Sequence, residues 1–248
     1  MYHGVIRSHT DVPSDREEGA QLYDLSSVKF QEQLEFLKRE GYQAAVLDQQ
    51  AAIGNQSIVL TFDDGERNNF TQAFTLLRQL NCSAYFFITV SRVGKPGYMN
   101  WEELKELRDA GMVVGSHGLN HNILVNQKDK VITKELRESK DILEYNLKVN
   151  VEDFSVSRGF YNQQILDAAR NVGYKRIFVS DAPVSTSPEC INRVAVKGDW
   201  SMQRFEQALH DQTPVNEQIT NVSKNVLKGL LGGAGYDRVR NLLLKIRR

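Results

Sequence analysis

Four side chains in this sequence have types and spacing that bear on chemistry: Asp63 beside Asp64, and His117 four residues before His121. Histidines four apart bring both imidazoles to one side of a helical turn, an arrangement that metals use in unrelated enzymes. Alone, such a pair is more often two surface or capping histidines, and Asp-Asp-Gly is more often a tight turn. Together they supply two imidazoles and a carboxylate, with positions left open for water and substrate. Three protein ligands and an open position mark a catalytic metal centre, whereas four closed ligands mark a structural one. The remaining aspartate is then free to take a proton from water that the cation has made more acidic.

Both pairs follow runs that read as buried strands. SIVLTF (57–62) leads into Asp63, and MVVGS (112–116) leads into His117. In parallel α/β folds reactive residues collect at the carboxyl ends of strands. Further strands are expected at SAYFFITV, VEDFSV, YKRIFVS and INRVAV, and an apolar segment opens the chain at Met1 to Ile6. Between them lie amphipathic helices. The first has Ser26 or Ser27 as cap, Gly41 as stop, and Val28, Leu34 and Leu37 expected on or near one face beside Phe30. Others are expected near 69–80, from Asn100 (with Glu103 completing a capping box) to Gly111, near 130–147, over QQILDAARNVG, and near 202–210. This alternation implies parallel β/α units, closed into a barrel or left as an open sheet.

Lys plus Arg equals Asp plus Glu at 31 each, so no global field draws the chain to nucleic acid. With 41 % apolar and 25 % charged residues it reads as an ordinary globular α/β protein. Cys82 and Cys190 are too few for a disulfide framework. The start lacks a basic stretch followed by a long apolar run, so a cytoplasmic location is expected. Residues 1–212 read as one catalytic domain and 213–248 as a C-terminal helical extension. From Lys224 onward that tail carries seven Lys or Arg against the single Asp237. Its apolar stripe (Tyr236, Val239, Leu242, Leu243, Ile246) is expected to dock on the domain. The sharper expectation is weak contact with the inner face of an anionic membrane.

Thr61-Phe62-Asp63-Asp64-Gly65 and Ser116-His117-Gly118-Leu119-Asn120-His121 resemble the first two motifs of the polysaccharide deacetylase family, the nodulation-type carbohydrate esterases. The resemblance runs over roughly residues 1–210. It implies a distorted (β/α) barrel, usually of seven strands, that removes N-acetyl groups from N-acetylglucosamine-type sugars or glycans. It further implies Asp63 as general base and Asp64, His117 and His121 as ligands of one divalent cation. Zinc is the first expectation for that ion, with cobalt, nickel, iron and manganese as alternatives.

Departures from the family pattern concentrate in the third motif. Ser155 stands where relatives often carry an Arg that orients the base, and Ser157 stands where they carry Pro. Gly118 stands where the second motif often has Ser or Thr. The main-chain N–H at Arg158 or Gly159 remains the candidate oxyanion donor, because a backbone donor survives side-chain changes. For the acid that protonates the leaving amine, His3 after Tyr2 is favoured over His210. Two other readings keep the same residues: cleavage of another C–N bond, as in a formamide or a cyclic amide, and sugar binding without catalysis.

Overall fold

A computed structural model describes residues 1–8, 10–47, 56–180, 190–210 and 235. In chain order the elements are β1 (Val5–Ile6), β2 (Leu25–Ser26), α1 (Ser27–Arg39), β3 (Gln43–Ala44), β4 (Ser57–Ile58), β5 (Thr61–Phe62), α2 (Thr75–Gln79) and β6 (Tyr85–Ile88). There follow α3 (Trp101–Asp109), β7 (Val113–Ser116), α4 (Asp129–Leu147), β8 (Asp153–Ser155), α5 (Gln163–Val172), β9 (Arg176–Ser180), β10 (Cys190–Arg193) and α6 (Met202–Leu209). The central sheet has six parallel strands in the order β10-β9-β8-β7-β6-β5. Strands therefore neighbour one another in sequence order, as successive β/α units require.

The sheet curls into a half-barrel, and its two edges are joined by the first residues of the chain. Tyr2 bridges Phe62 beside β5, and Met1 exchanges hydrogen bonds with Val194 and Val196 just beyond β10, each 2.9 Å. The expected count of seven strands is not met among the described residues, because Met1 and Tyr2 form only this short link. The expected single strand at 57–62 is also two pieces. β4 pairs with β3, and only β5 joins the main sheet. The C-terminal extension, its membrane contact and the domain boundary at 212 fall outside the described residues, apart from the isolated residue 235. Among the described residues no helix is long and apolar enough to cross a membrane.

Both faces of the sheet are buried, as its nearly continuous apolar strands require. Phe86, Ile88, Val114, Phe154, Ile177 and Val179 belong to the main core, together with helix residues such as Leu107, Leu136 and Leu166. Tyr85, Phe87 and Phe178 form a second aromatic cluster on the opposite, inner face. Gly115 makes room for it, since a Cβ there would lie 2.6 Å from the Phe87 ring. Local signals hold where tertiary context agrees with them: Ser26 caps α1, and the Asn100–Glu103 capping box starts α3. Val28 departs from expectation and is 66 % exposed. It lies two residues before Phe30, about 200° round the helix, so the buried stripe is Phe30, Leu34 and Leu37 without it.

Candidate metal centre

Two loops at the carboxyl edge of the sheet bring Asp64, His117 and His121 together, all ligand atoms lying within 4.8 Å of one another. The loop after β5 turns at Asp64 (φ 76°) and Gly65 (φ 82°). The loop after β7 is anchored by the His117 N–H, which donates to Ile88 O at 2.9 Å, and turns at Gly118 (φ 85°) and His121 (φ 58°). Asp64 and His121 thus hold left-handed conformations that cost a non-glycine residue of the order of 1–2 kcal/mol, so the surrounding contacts must fix them.

The donor set suits a small divalent cation. Asp64 Oδ1 lies 3.0 Å from His121 Nε2 and 3.7 Å from His117 Nε2. Ligands about 2.1 Å from a tetrahedral zinc stand about 3.4 Å apart, between those two values. Each imidazole also has its far nitrogen engaged. His117 Nδ1–H donates to Ser155 O at 2.9 Å and His121 Nδ1–H donates to Glu17 Oε1 at 2.6 Å. Both Nε2 atoms therefore face the shared space, the arrangement found in metal-binding histidines. Glu17 is itself gripped by Arg92, whose guanidinium also reaches Asp64 Oδ1 at 3.4 Å. Glu17→Ala is expected to lower zinc affinity about 10- to 100-fold in competition with a chromogenic chelator. Equal affinity in the variant would reduce Glu17 to a packing role.

The surrounding protein groups move the two histidines in opposite directions. Burial pushes His117 down to about 4, against the pull of Asp63 and Asp64. Burial also acts on His121, but Asp64 and Glu17 overcome it and raise the group to about 9.

Asp63 is 2 % exposed and does not share that cluster's hydrogen bonds. Arg193 reaches it with two parallel bonds, Nη1 to Oδ1 at 2.8 Å and Nη2 to Oδ2 at 2.9 Å. Ser155 Oγ donates to Oδ2 at 3.1 Å. Burial alone would raise this carboxyl; Arg193 and His117 overcome that and hold it at about 2, ionised. Asp63 Oδ2 stands 3.9 Å from His117 Nε2, so the aspartate borders the cluster without joining it.

His3 Nε2 lies 4.0 Å from Asp64 Oδ2, and its ring packs near Tyr23. His210 instead ends α6 as an exposed residue. Arg158 (φ 61°) and Gly159 (φ 67°) lie in a short turn after β8. That turn is tied to the cluster through Ser157, whose Oγ donates to His117 O at 2.7 Å. Three residues of this neighbourhood, Glu17, Arg92 and Arg193, have no counterpart among the residues singled out from sequence. An Arg inside the apolar run INRVAV is the one signal that could have found Arg193. Nothing in REEG or SRVG distinguishes Glu17 or Arg92 from solvated surface charges.

Comparisons with known proteins bear on the family and the fold. The family described as polysaccharide deacetylase matches residues 51–177. A polysaccharide deacetylase of Bacillus subtilis, itself named only provisionally, is 25 % identical over 71 % of this chain and 67 % of its own length. The peptidoglycan-N-acetylglucosamine deacetylase of Bacillus cereus is 31 % identical over 50 % of this chain. The poly-beta-1,6-N-acetyl-D-glucosamine N-deacetylase of Staphylococcus aureus is 25 % identical over 62 % of it. The chain spans only 56 % and 60 % of the length of these last two relatives. Among solved structures, a Streptococcus pyogenes deacetylase in complex with acetate superposes with a TM-score of 0.72 at 23 % identity, covering 83 % of this chain and 94 % of that one. IcaB from Ammonifex degensii gives 0.69 at 22 %, covering 86 % and 95 %. At these identities the two structures speak to the fold.

Proposed function

Because the chain belongs to the polysaccharide deacetylase family, we propose that it hydrolyses N-acetyl groups on N-acetylglucosamine-type sugars or glycans, with one divalent cation at Asp64, His117 and His121. The observation that carries this reading is the convergence of those three ligands beside a buried, ionised Asp63. The names of the Bacillus cereus and Staphylococcus aureus relatives supply the substrate class. Zinc is the metal we favour, since two imidazoles and one carboxylate with open positions suit it.

When bound, the cation would supply Lewis acidity to the acetyl carbonyl and increase the acidity of water. Asp63 takes a proton from the attacking water as its oxygen bonds to the carbonyl carbon. The main-chain N–H at Arg158 or Gly159 is the donor we assign to the acetyl oxygen as charge builds there. His3 gives a proton to the sugar nitrogen as the C–N bond breaks, leaving acetate and a free amine. Base and acid catalysis of this kind contribute about 10²- to 10⁴-fold each.

The test is acetate release from chitooligosaccharides, peptidoglycan and poly-β-1,6-N-acetylglucosamine, before and after stripping with a chelator and reloading with Zn²⁺ or Co²⁺. Release that is lost on stripping and restored on reloading is the expected result. Formate from an N-formyl sugar in place of acetate would redirect the assignment to another C–N bond, and sugar binding with no product would leave a non-catalytic member.

A further inference from the structure

We infer that Arg193, carried at the end of β10, is the positioning residue that holds Asp63 in its working orientation, with Ser155 as the second half of the clamp. The inference rests on the reading of Asp63 as the base.

Consider what each group can donate and accept. A carboxylate offers about four acceptor positions, two on each oxygen. Arg193 fills one on Oδ1 at 2.8 Å and one on Oδ2 at 2.9 Å, and Ser155 Oγ fills the second on Oδ2 at 3.1 Å. Ser155 has one proton to give, and it goes to Asp63; its lone pair then accepts from Arg193 Nη2 at 2.7 Å. The three side chains close a ring through both terminal nitrogens of the guanidinium, while Arg193 Nε is buried without a hydrogen-bond partner among the described residues. Arg193 Nη1 also donates to Thr61 Oγ1 at 3.1 Å, two residues before Asp63 on the same chain. Among the described residues this leaves one acceptor position of Asp63, on Oδ1, outside the ring.

The clamp is itself held rigidly. Arg193 is 7 % exposed, and its guanidinium carbon lies 5.3 Å from the centre of the Phe87 ring and 5.7 Å from that of Phe178. These distances are within the range of cation–π attraction. The register explains the meeting. Ile191 pairs with Phe178, Ser155 pairs with Phe178 on the other side, and Arg193 follows Ile191 by two residues on the same face. Small residues at 115 and 155 open the inner face to the rings and the guanidinium, since the Phe87 ring stands where a side chain at 115 would be. A larger side chain at 155 would enter the space that the guanidinium occupies.

A planar fork bonded to both oxygens fixes rotation of the carboxylate, which a single point charge does not. An error of about 1 Å in such a group can cost about 10²-fold in turnover.

The test is a double-mutant cycle on zinc-loaded protein, reading acetate release from whichever glycan the wild type turns over. Arg193→Gln is expected to lower kcat about 100-fold while zinc content holds at one equivalent and KM changes little. Arg193→Lys should recover part of that loss by reaching one oxygen, and Ser155→Ala should lose less, about 10-fold. Since Arg193 acts through Asp63, the Asp63→Asn/Arg193→Gln protein should be no slower than Asp63→Asn alone. An equal loss from Arg193→Gln in the wild-type and Asp63→Asn backgrounds would overturn the inference, because the effect would then be general destabilisation. Undiminished kcat in Asp63→Asn would instead overturn the base assignment. A large loss in Asp63→Asn with none in the Arg193 or Ser155 variants overturns this inference alone. Should Arg193→Gln fail to fold, Arg193→Lys and Ser155→Ala carry the same comparison in both backgrounds.

Discussion

Asp63→Asn is expected to bind one equivalent of zinc and to lose about 10²- to 10⁴-fold in turnover. The substitution preserves shape and removes the capacity to accept a proton. Metal retention is expected from geometry: the proposed ligand atoms are on Asp64, His117 and His121, and Asp63 stands aside, bonded to Arg193 and Ser155. Folding stability should fall as well. Neutralising Asp63 leaves the buried Arg193 cation without its counter-charge, and breaking such a pair typically costs about 3–5 kcal/mol. Zinc content, kcat and melting temperature therefore move differently, and all three should be read on one preparation. Loss of zinc from Asp63→Asn would show that the division between the two aspartates is wrong.

His117→Ala should show the opposite pattern, with zinc occupancy falling far below one equivalent and turnover to background. His117 is 2 % exposed and in the proposed centre would supply a lone pair through Nε2, while its Nδ1–H is tied to Ser155 O. Removing it deletes one of three ligands and leaves that carbonyl without its donor. The loss in affinity should exceed the 10- to 100-fold typical of an outer-shell change such as Glu17→Ala. Isothermal titration of stripped protein with Zn²⁺ measures both variants on one scale. Wild-type affinity in His117→Ala would remove His117 from the ligand set.

The parts of this molecule legible in its sequence are those governed by local rules. Asp63-Asp64 and His117 to His121 could be read because each pair follows a short apolar strand, and strand ends in parallel sheets lie side by side. The capping of α1 by Ser26 and of α3 by Asn100 depends on neighbours within three residues. What escaped depends on long-range pairing. Arg193 reads as an ordinary strand residue until Ile191 is seen to align with Phe178, which turns residue 193 towards the inner face. Glu17 meets His121 across 104 positions, with no spacing rule to announce it. Ser155 illustrates the limit from the other side. Its type suggests a lost function, and only the sheet register reveals that its small hydroxyl sits between Arg193 and Asp63. Among the described residues the count of seven strands is not met for a related reason, because two residues at the chain start perform by hydrogen bonding what a longer strand would do by pairing.

The separation between Asp63 and Arg193, 130 positions, has a consequence for how the protein comes off the ribosome. At about 5–20 residues per second, Arg193 is synthesised roughly ten seconds after Asp63. From residue 121 to residue 193 the nascent chain contains Asp64, His117 and His121 while Asp63 still lacks its counter-ion. Native burial of Asp63 must wait for β10, because an ionised carboxylate is not buried alone. A chain broken between β9 and β10 would therefore lack the counter-charge that native burial of Asp63 needs, and β10 serves as the mark of a finished central sheet.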